Sequence, residues 1–216
     1  VDLKKGKAIK LDQAELLLWS GKRVFFARQG PEDSLVFGRV RTLFPLKESV
    51  LFTVRRSEGE DLHPVQAVPS RCTRFAVIMK GEGKRTLVTF DKKGQRTREI
   101  ALPGWLDLDD SLGAEWRPDG SVLWLSAKGK PENGDEFKGI AEVHIDDGCV
   151  RFIEVSDVAP FFLALSPDGR YLAASTLRSG DKLGRLCLVD LTTDERRVTL
   201  IPPPEAGLPV QTPEKG

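Results

Sequence analysis

Nothing in the 216-residue sequence approaches the run of about 18 apolar residues that a membrane-crossing helix needs. Charge of one sign is missing too: 33 Lys and Arg stand against 32 Asp and Glu, a formal net charge of +1. That balance leaves no global field to draw the chain to nucleic acid or to an anionic surface. Cysteine is scarce, at three, and Cys72, Cys149 and Cys187 have neither metal-site nor redox-pair spacing. An odd, unpaired set reads as small buried hydrophobes and favours a reducing, cytoplasmic setting over a periplasmic one. The two histidines, His63 and His144, lie far apart and are read as structural or surface residues. No Gly-x-Ser-x-Gly element is present, which removes the nucleophile elbow of a hydrolase. Lys80-Gly81-Glu82-Gly83-Lys84 lacks the spacing of a phosphate loop and is assigned to a hairpin. Asp107-Leu108-Asp109-Asp110-Ser111 lacks the spaced Gly and distal Glu of a calcium loop and reads as a solvated acidic turn. No catalytic residue, metal or cofactor is therefore expected.

What the sequence does have is a repeat. Phe161–Leu165 is a short apolar run that stops at Ser166-Pro167-Asp168-Gly169, where Pro fixes one turn φ and Gly accepts a positive one. Three more β-compatible segments follow, Arg170–Thr176, Arg185–Asp190 and Arg197–Ile201, before Pro202-Pro203-Pro204 ends the pattern. Four strands in about 40 residues is the size of one propeller blade. The hairpin recurs at Trp116-Arg117-Pro118-Asp119-Gly120 and, without its Asp-Gly, at Pro69-Ser70-Arg71-Cys72, where Val65–Val68 is the expected first strand. A fourth version, Leu17–Ala27, has lost the Pro-Asp. Asp91, Asp146 and Asp190 close equivalent third strands.

These residues resemble the PD40 or TolB-like β-propeller repeat, a WD40-like family whose core reads roughly Trp-Ser-Pro-Asp-Gly-Lys/Arg followed by an apolar strand. The resemblance covers about residues 14–201. It implies an all-β propeller of about four four-stranded blades, either a small ring or part of a larger one. It implies little about activity, because the family includes both periplasmic interaction modules and the gating domains of some serine peptidases. No Trp-Asp dipeptide occurs, so the WD40 pattern itself fits less well.

The blades are expected at 14–56, 62–102, 112–155 and 159–201. Residues 1–13 carry one spare strand, Lys7–Leu11, and 202–216 form a Pro-rich tail or linker. The long connections, at 29–33, 57–61, 103–111, 128–138 and 178–183, fall on one face of such a propeller, where recognition residues gather. Trp105 and Phe137 are the aromatic anchors expected there, with Asp107, Asp109, Lys128, Lys130, Arg178 and Lys182 as the charged surround. The function expected is a non-catalytic scaffold, a subunit of a larger assembly. It would bind a protein partner, or itself, through this face or an open sheet edge. The alternative is a sensor or accessory domain holding a small ligand or metal in the channel; a stand-alone hydrolase or lyase ranks below both.

Overall fold

The structure, a computed structural model, describes residues 16–20, 23–43, 46–65, 69, 74–108, 113–129, 136–156, 160–176 and 185–201. The spare strand at Lys7–Leu11 and the 202–216 tail lie outside these residues. The fold is all-β, with four antiparallel sheets following one another along the chain. The first holds β1 (Leu16–Ser20), β2 (Arg23–Gln29), β3 (Leu35–Leu43) and β4 (Leu46–Val54). The second holds β5 (Glu60–Pro64), β6 (Arg74–Gly81), β7 (Lys84–Asp91) and β8 (Arg96–Ala101). β9 (Leu106–Asp107), β10 (Ala114–Trp116), β11 (Val122–Gly129), β12 (Phe137–His144) and β13 (Val150–Ser156) form the third. The fourth is β14 (Pro160–Leu165), β15 (Tyr171–Thr176), β16 (Arg185–Asp190) and β17 (Val198–Ile201).

The central strands read as nearly continuous apolar runs because both of their faces are buried. In β6, Phe75, Val77 and Met79 join a cluster with Phe25, Phe37 and Phe52 of the first sheet, while Ala76 and Ile78 join one with Leu123, Leu125 and Val143 of the third. In β11 the alternation continues: Val122 and Trp124 pack towards Leu172, Ala174 and Val189 of the fourth sheet. The first of these interfaces is aromatic, with Phe37 stacked on Phe52 at 4.9 Å and Phe75 edge-on to Phe25 at 5.4 Å. Such ring pairs add about 0.5–1.5 kcal/mol each beyond their burial.

The Pro-Asp-Gly turns behave as their residue types require. Gly120 and Gly169 take φ of 78° and 73°, and the Asp119 carboxylate accepts both the backbone N–H and the hydroxyl of Ser121. Asp168 accepts the Arg170 N–H in the same way.

Four details differ from the sequence expectation. The first strand of the second sheet is Glu60–Pro64, not Val65–Val68, of which Gln66–Val68 lie outside the described residues. It is an edge strand, so Pro64 and its polar neighbours cost no ladder bond, and Val65 N–H still reaches the Ala76 carbonyl at 3.0 Å. Pro45-Leu46-Lys47-Glu48, whose proline and charged residues read in sequence as a loop within the first blade, is strand from Leu46 on. The 103–111 link contains β9, which pairs with β11. Phe137 opens β12 opposite Gly129 and is not a loop residue.

Between β12 and β13 the register slips at Lys138/Gly139, and a Cβ on Gly139 would run into the Ile153 carbonyl oxygen. Because that oxygen belongs to backbone, little can move aside. Gly139→Ala is expected to lower stability by about 3 kcal/mol in urea denaturation; a change under about 0.5 kcal/mol, typical of a surface substitution, would contradict the packing described.

Candidate functional site

The expected loop-face residues that the structure describes come together around β9. Leu106 and Leu108 are buried in the core shared by the second and third sheets, which turns Trp105 and Asp107 outward by strand alternation. The segment is tied to both sheets. On one side β9 pairs with β11, placing Asp107 opposite Lys128 and Leu106 opposite Gly129. On the other, Arg85 of β7 donates to the Leu106 carbonyl at 2.7 Å and to the Asp107 carboxylate at 2.8 Å. Lys80 of β6 reaches the Leu108 carbonyl at 3.5 Å. Trp105 remains 37% exposed and sits edge-on to Phe152 of β13, ring centroids 6.2 Å apart. The result is an aromatic ring beside an opposite-charge pair on rigidly held backbone. An open cleft of about 490 Å³ adjoins it, lined by Asp61, Lys80, Glu82, Lys84 and Arg85.

Asp109, Lys130, Arg178 and Lys182 lie outside the described residues, as does the side chain of Phe137. Of the expected set, the structure therefore brings together Trp105, Asp107 and Lys128.

A second charged cluster was not marked by any motif. Glu142 of β12 is buried, yet its carboxylate accepts from Trp124 Nε1 at 2.9 Å and from Arg196 Nε and Nη2 at 3.1 and 3.0 Å. His144 Nε2 lies 2.9 Å from the same carboxylate. Arg196, in the turn between β16 and β17, spends its remaining guanidinium nitrogen on the carbonyls of Leu191 and Thr193 at 2.7 and 2.8 Å. Its φ of 52° lies in the left-handed region, a strain of about 1–2 kcal/mol for a residue with a Cβ. Burial alone pushes the Glu142 carboxyl up; hydrogen bonds from Arg196, Trp124 and His144, with the Arg196 charge, outweigh it and bring it down to about 2. The carboxylate is sealed between the third and fourth sheets, so it clamps them and offers no face to a substrate. In the sequence its only trace is a lone acid inside the apolar run Ile140–Ile145.

The remaining titratable residues are local. Glu115 of β10 is half-buried; burial pushes its carboxyl up, against hydrogen bonds from the Trp116 and Leu165 backbone. His63 stands in β5 opposite Ile78. Cys187 is buried, its thiol donating to the Ala174 carbonyl at 3.2 Å and pushed up to about 11 by burial. Cys149 is exposed, contrary to the expectation of a buried hydrophobe, because it follows the Asp146-Asp147-Gly148 turn.

Against known proteins, no family model matches and no curated relative is found. Solved structures do match. TolB from Acinetobacter baumannii is 15% identical over 87% of this chain and 43% of its own, with a TM-score of 0.53. The β-propeller domain of the trilobed protease from Pyrococcus furiosus is 16% identical over 91% of this chain and 59% of its own, TM-score 0.53. The gluconolactonase XC5397 from Xanthomonas campestris is 18% identical over 84% and 59%, TM-score 0.51. These similarities establish the β-propeller fold, and the chain spans between 43% and 59% of the length of the three.

The clamp has a sign in pH. Glu142 is lowered from 4.5 to about 2, so the stability it confers is complete above about pH 4.5 and is lost as pH falls towards 2. Arg196→Ala takes the charged partner from a buried carboxylate, leaving it Trp124 and His144, and is expected to cost about 3–5 kcal/mol at pH 7. The double variant Glu142→Leu with Arg196→Leu is expected to recover most of that loss and to flatten the acid limb of the stability curve. An Arg196→Ala protein as stable as the parent at pH 7 would contradict the clamp.

Proposed function

We propose that this chain is a non-catalytic scaffold of the PD40 or TolB-like type, a subunit of a larger assembly, that binds a protein partner through the surface around Trp105, Asp107 and Lys128. The observation that carries the reading is the way β9 is held: a two-residue strand fastened to two sheets by β pairing and by Arg85, with a half-exposed Trp at its entrance. Aromatic anchors on preorganised backbone with a charged rim are what protein interfaces favour, because little side-chain freedom is left to lose on binding. The solved neighbours include an enzyme and a protease domain as well as TolB. Among the described residues, the carboxylate–histidine pair best placed for acid–base work is Glu142 and His144, and its carboxylate is buried and bonded to Trp124 and Arg196. That arrangement favours the scaffold over a catalyst.

Capture of tagged chain from its source cells, followed by mass spectrometry, identifies a stoichiometric partner. Trp105→Ala is then expected to weaken that complex at least about tenfold. The loss of one edge-to-face ring contact, about 0.5–1.5 kcal/mol, should lower Tm by only a few degrees. A Trp105→Ala protein that melts lower but binds unchanged would overturn the assignment of this surface.

A further inference from the structure

The hairpin Lys80-Gly81-Glu82-Gly83-Lys84 between β6 and β7 separates two clefts that differ in charge. On one side a cleft of about 430 Å³ is walled by Glu58, Glu60, Glu82 and Glu99 against Lys84 and Arg96, and Arg96 is paired with Glu99 at 2.6 Å. On the other lies the cleft of about 490 Å³ that reaches Gly104, next to Trp105. There three cations, Lys80, Lys84 and Arg85, face two carboxylates, Asp61 and Glu82.

Depth sharpens the difference. Side-chain exposure is 29% for Arg85 and 71% for Asp61; Lys80 is half-buried, whereas Glu82 is exposed at the hairpin tip. A charge at the floor, where the local dielectric is low, acts more strongly on a bound group than one at the rim, which water and salt screen. The neighbouring carboxylates are also engaged: Asp61 lies 3.6 Å from Arg56, and Asp107 lies 2.8 Å from Arg85. Arg85 spends only part of its donor set on Leu106 and Asp107. The lining therefore presents positive charge inward, although the chain as a whole is balanced at +1.

The wall is open to main chain. Gly59, Gly81, Gly83 and Gly104 line it, and at Gly59, Gly83 and Gly104 nothing lies within 4 Å of where a Cβ would stand. An extended segment can approach such a wall closely. Gly59 and Gly83 need to be glycine for their φ of 77° and 75°. Gly104 has neither a positive φ nor a close neighbour, and its bareness leaves the passage from the cleft to Trp105 clear.

We infer that the segment a partner lays here is acidic: an extended stretch whose Asp or Glu side chains enter the cleft towards Lys80, Lys84 and Arg85, while a flanking apolar residue packs on Trp105. The inference rests on the reading of this surface as a partner site and adds the partner's chemistry. The cleft across the hairpin opposes misplacement, because Glu58, Glu60 and Glu99 repel the same segment. A nucleic acid fits less well, since three cations against two carboxylates leave one positive charge in the lining, which would release few counterions.

Fluorescence anisotropy of labelled octaglutamate against residues 1–216 tests this, with octalysine and octathymidylate as comparison probes. Octaglutamate is expected to bind saturably and to weaken at least about threefold between about 50 and 300 mM NaCl, as the Debye length shortens. Lys84→Glu, at an exposed position, should weaken it at least about tenfold, and Glu82→Lys should tighten it. Lys93→Glu, the same charge change in the exposed turn between β7 and β8, should leave it within about twofold. No saturable binding, tighter binding of octalysine, or equal losses in Lys84→Glu and Lys93→Glu would overturn the inference. Octathymidylate bound as tightly as octaglutamate would overturn the assignment to a peptide. A partner whose capture depends on Trp105, found with a protein that ignores octaglutamate, would remove this inference and leave the scaffold reading in place, so the two fail separately.

Discussion

A four-stranded sheet that is apolar on both faces cannot stand in water alone, and the rest of this molecule follows from that constraint. Each of the first three sheets finds cover in the next one along the chain, through three shared clusters centred on Phe75, Leu123 and Leu172. Packing is as close within a sheet: at Gly38 and Gly139 a Cβ would collide with the ring or carbonyl of the neighbouring strand. The stacking also explains why Glu142, among the described residues the one charge sealed between sheets, is answered by Trp124 of its own sheet and Arg196 of the next. An unanswered carboxylate there would cost several kcal/mol.

The proposed recognition surface is a by-product of the same stacking. The chain must cross from the second sheet to the third, and it does so through Leu106 and Leu108, whose burial belongs to both sheets. Alternation then leaves Trp105 and Asp107 outside on backbone that cannot easily move. Arg85 and Lys80, reaching across from the second sheet, complete the fastening with their bonds to Leu106, Asp107 and Leu108. Of the other long connections, 29–33 and 57–61 are described throughout, and neither adds a fifth strand to a sheet as β9 does.

The hairpins around Pro118 and Pro167 were legible in the sequence because Pro-Asp-Gly encodes a turn locally: the side chain of Asp and the positive φ of Gly need no tertiary partner. The first strand of the second sheet was not, because an edge strand such as Glu60–Pro64 is bonded on one side only and tolerates residues that no propensity favours. β9 was hidden for another reason. Two residues carry no periodicity, and the pairing that makes them a strand is with Lys128 and Gly129, distant in sequence. Trp105, Asp107 and Lys128, named from residue type and loop position, lie together around it. Glu142 was missed since its meaning depends on Arg196, 54 residues away in the next sheet.

Native-state hydrogen exchange addresses the governing constraint directly. Stacked sheets should be most stable where both faces are covered and least stable at an uncovered end. The amides of β6, β7, β11 and β12 are expected to exchange slowest, and those of β15 and β16 at least about tenfold faster. Protection in β15 and β16 equal to that in β11 and β12 would contradict it, since sheet stability would then not depend on the cover that a neighbouring sheet provides.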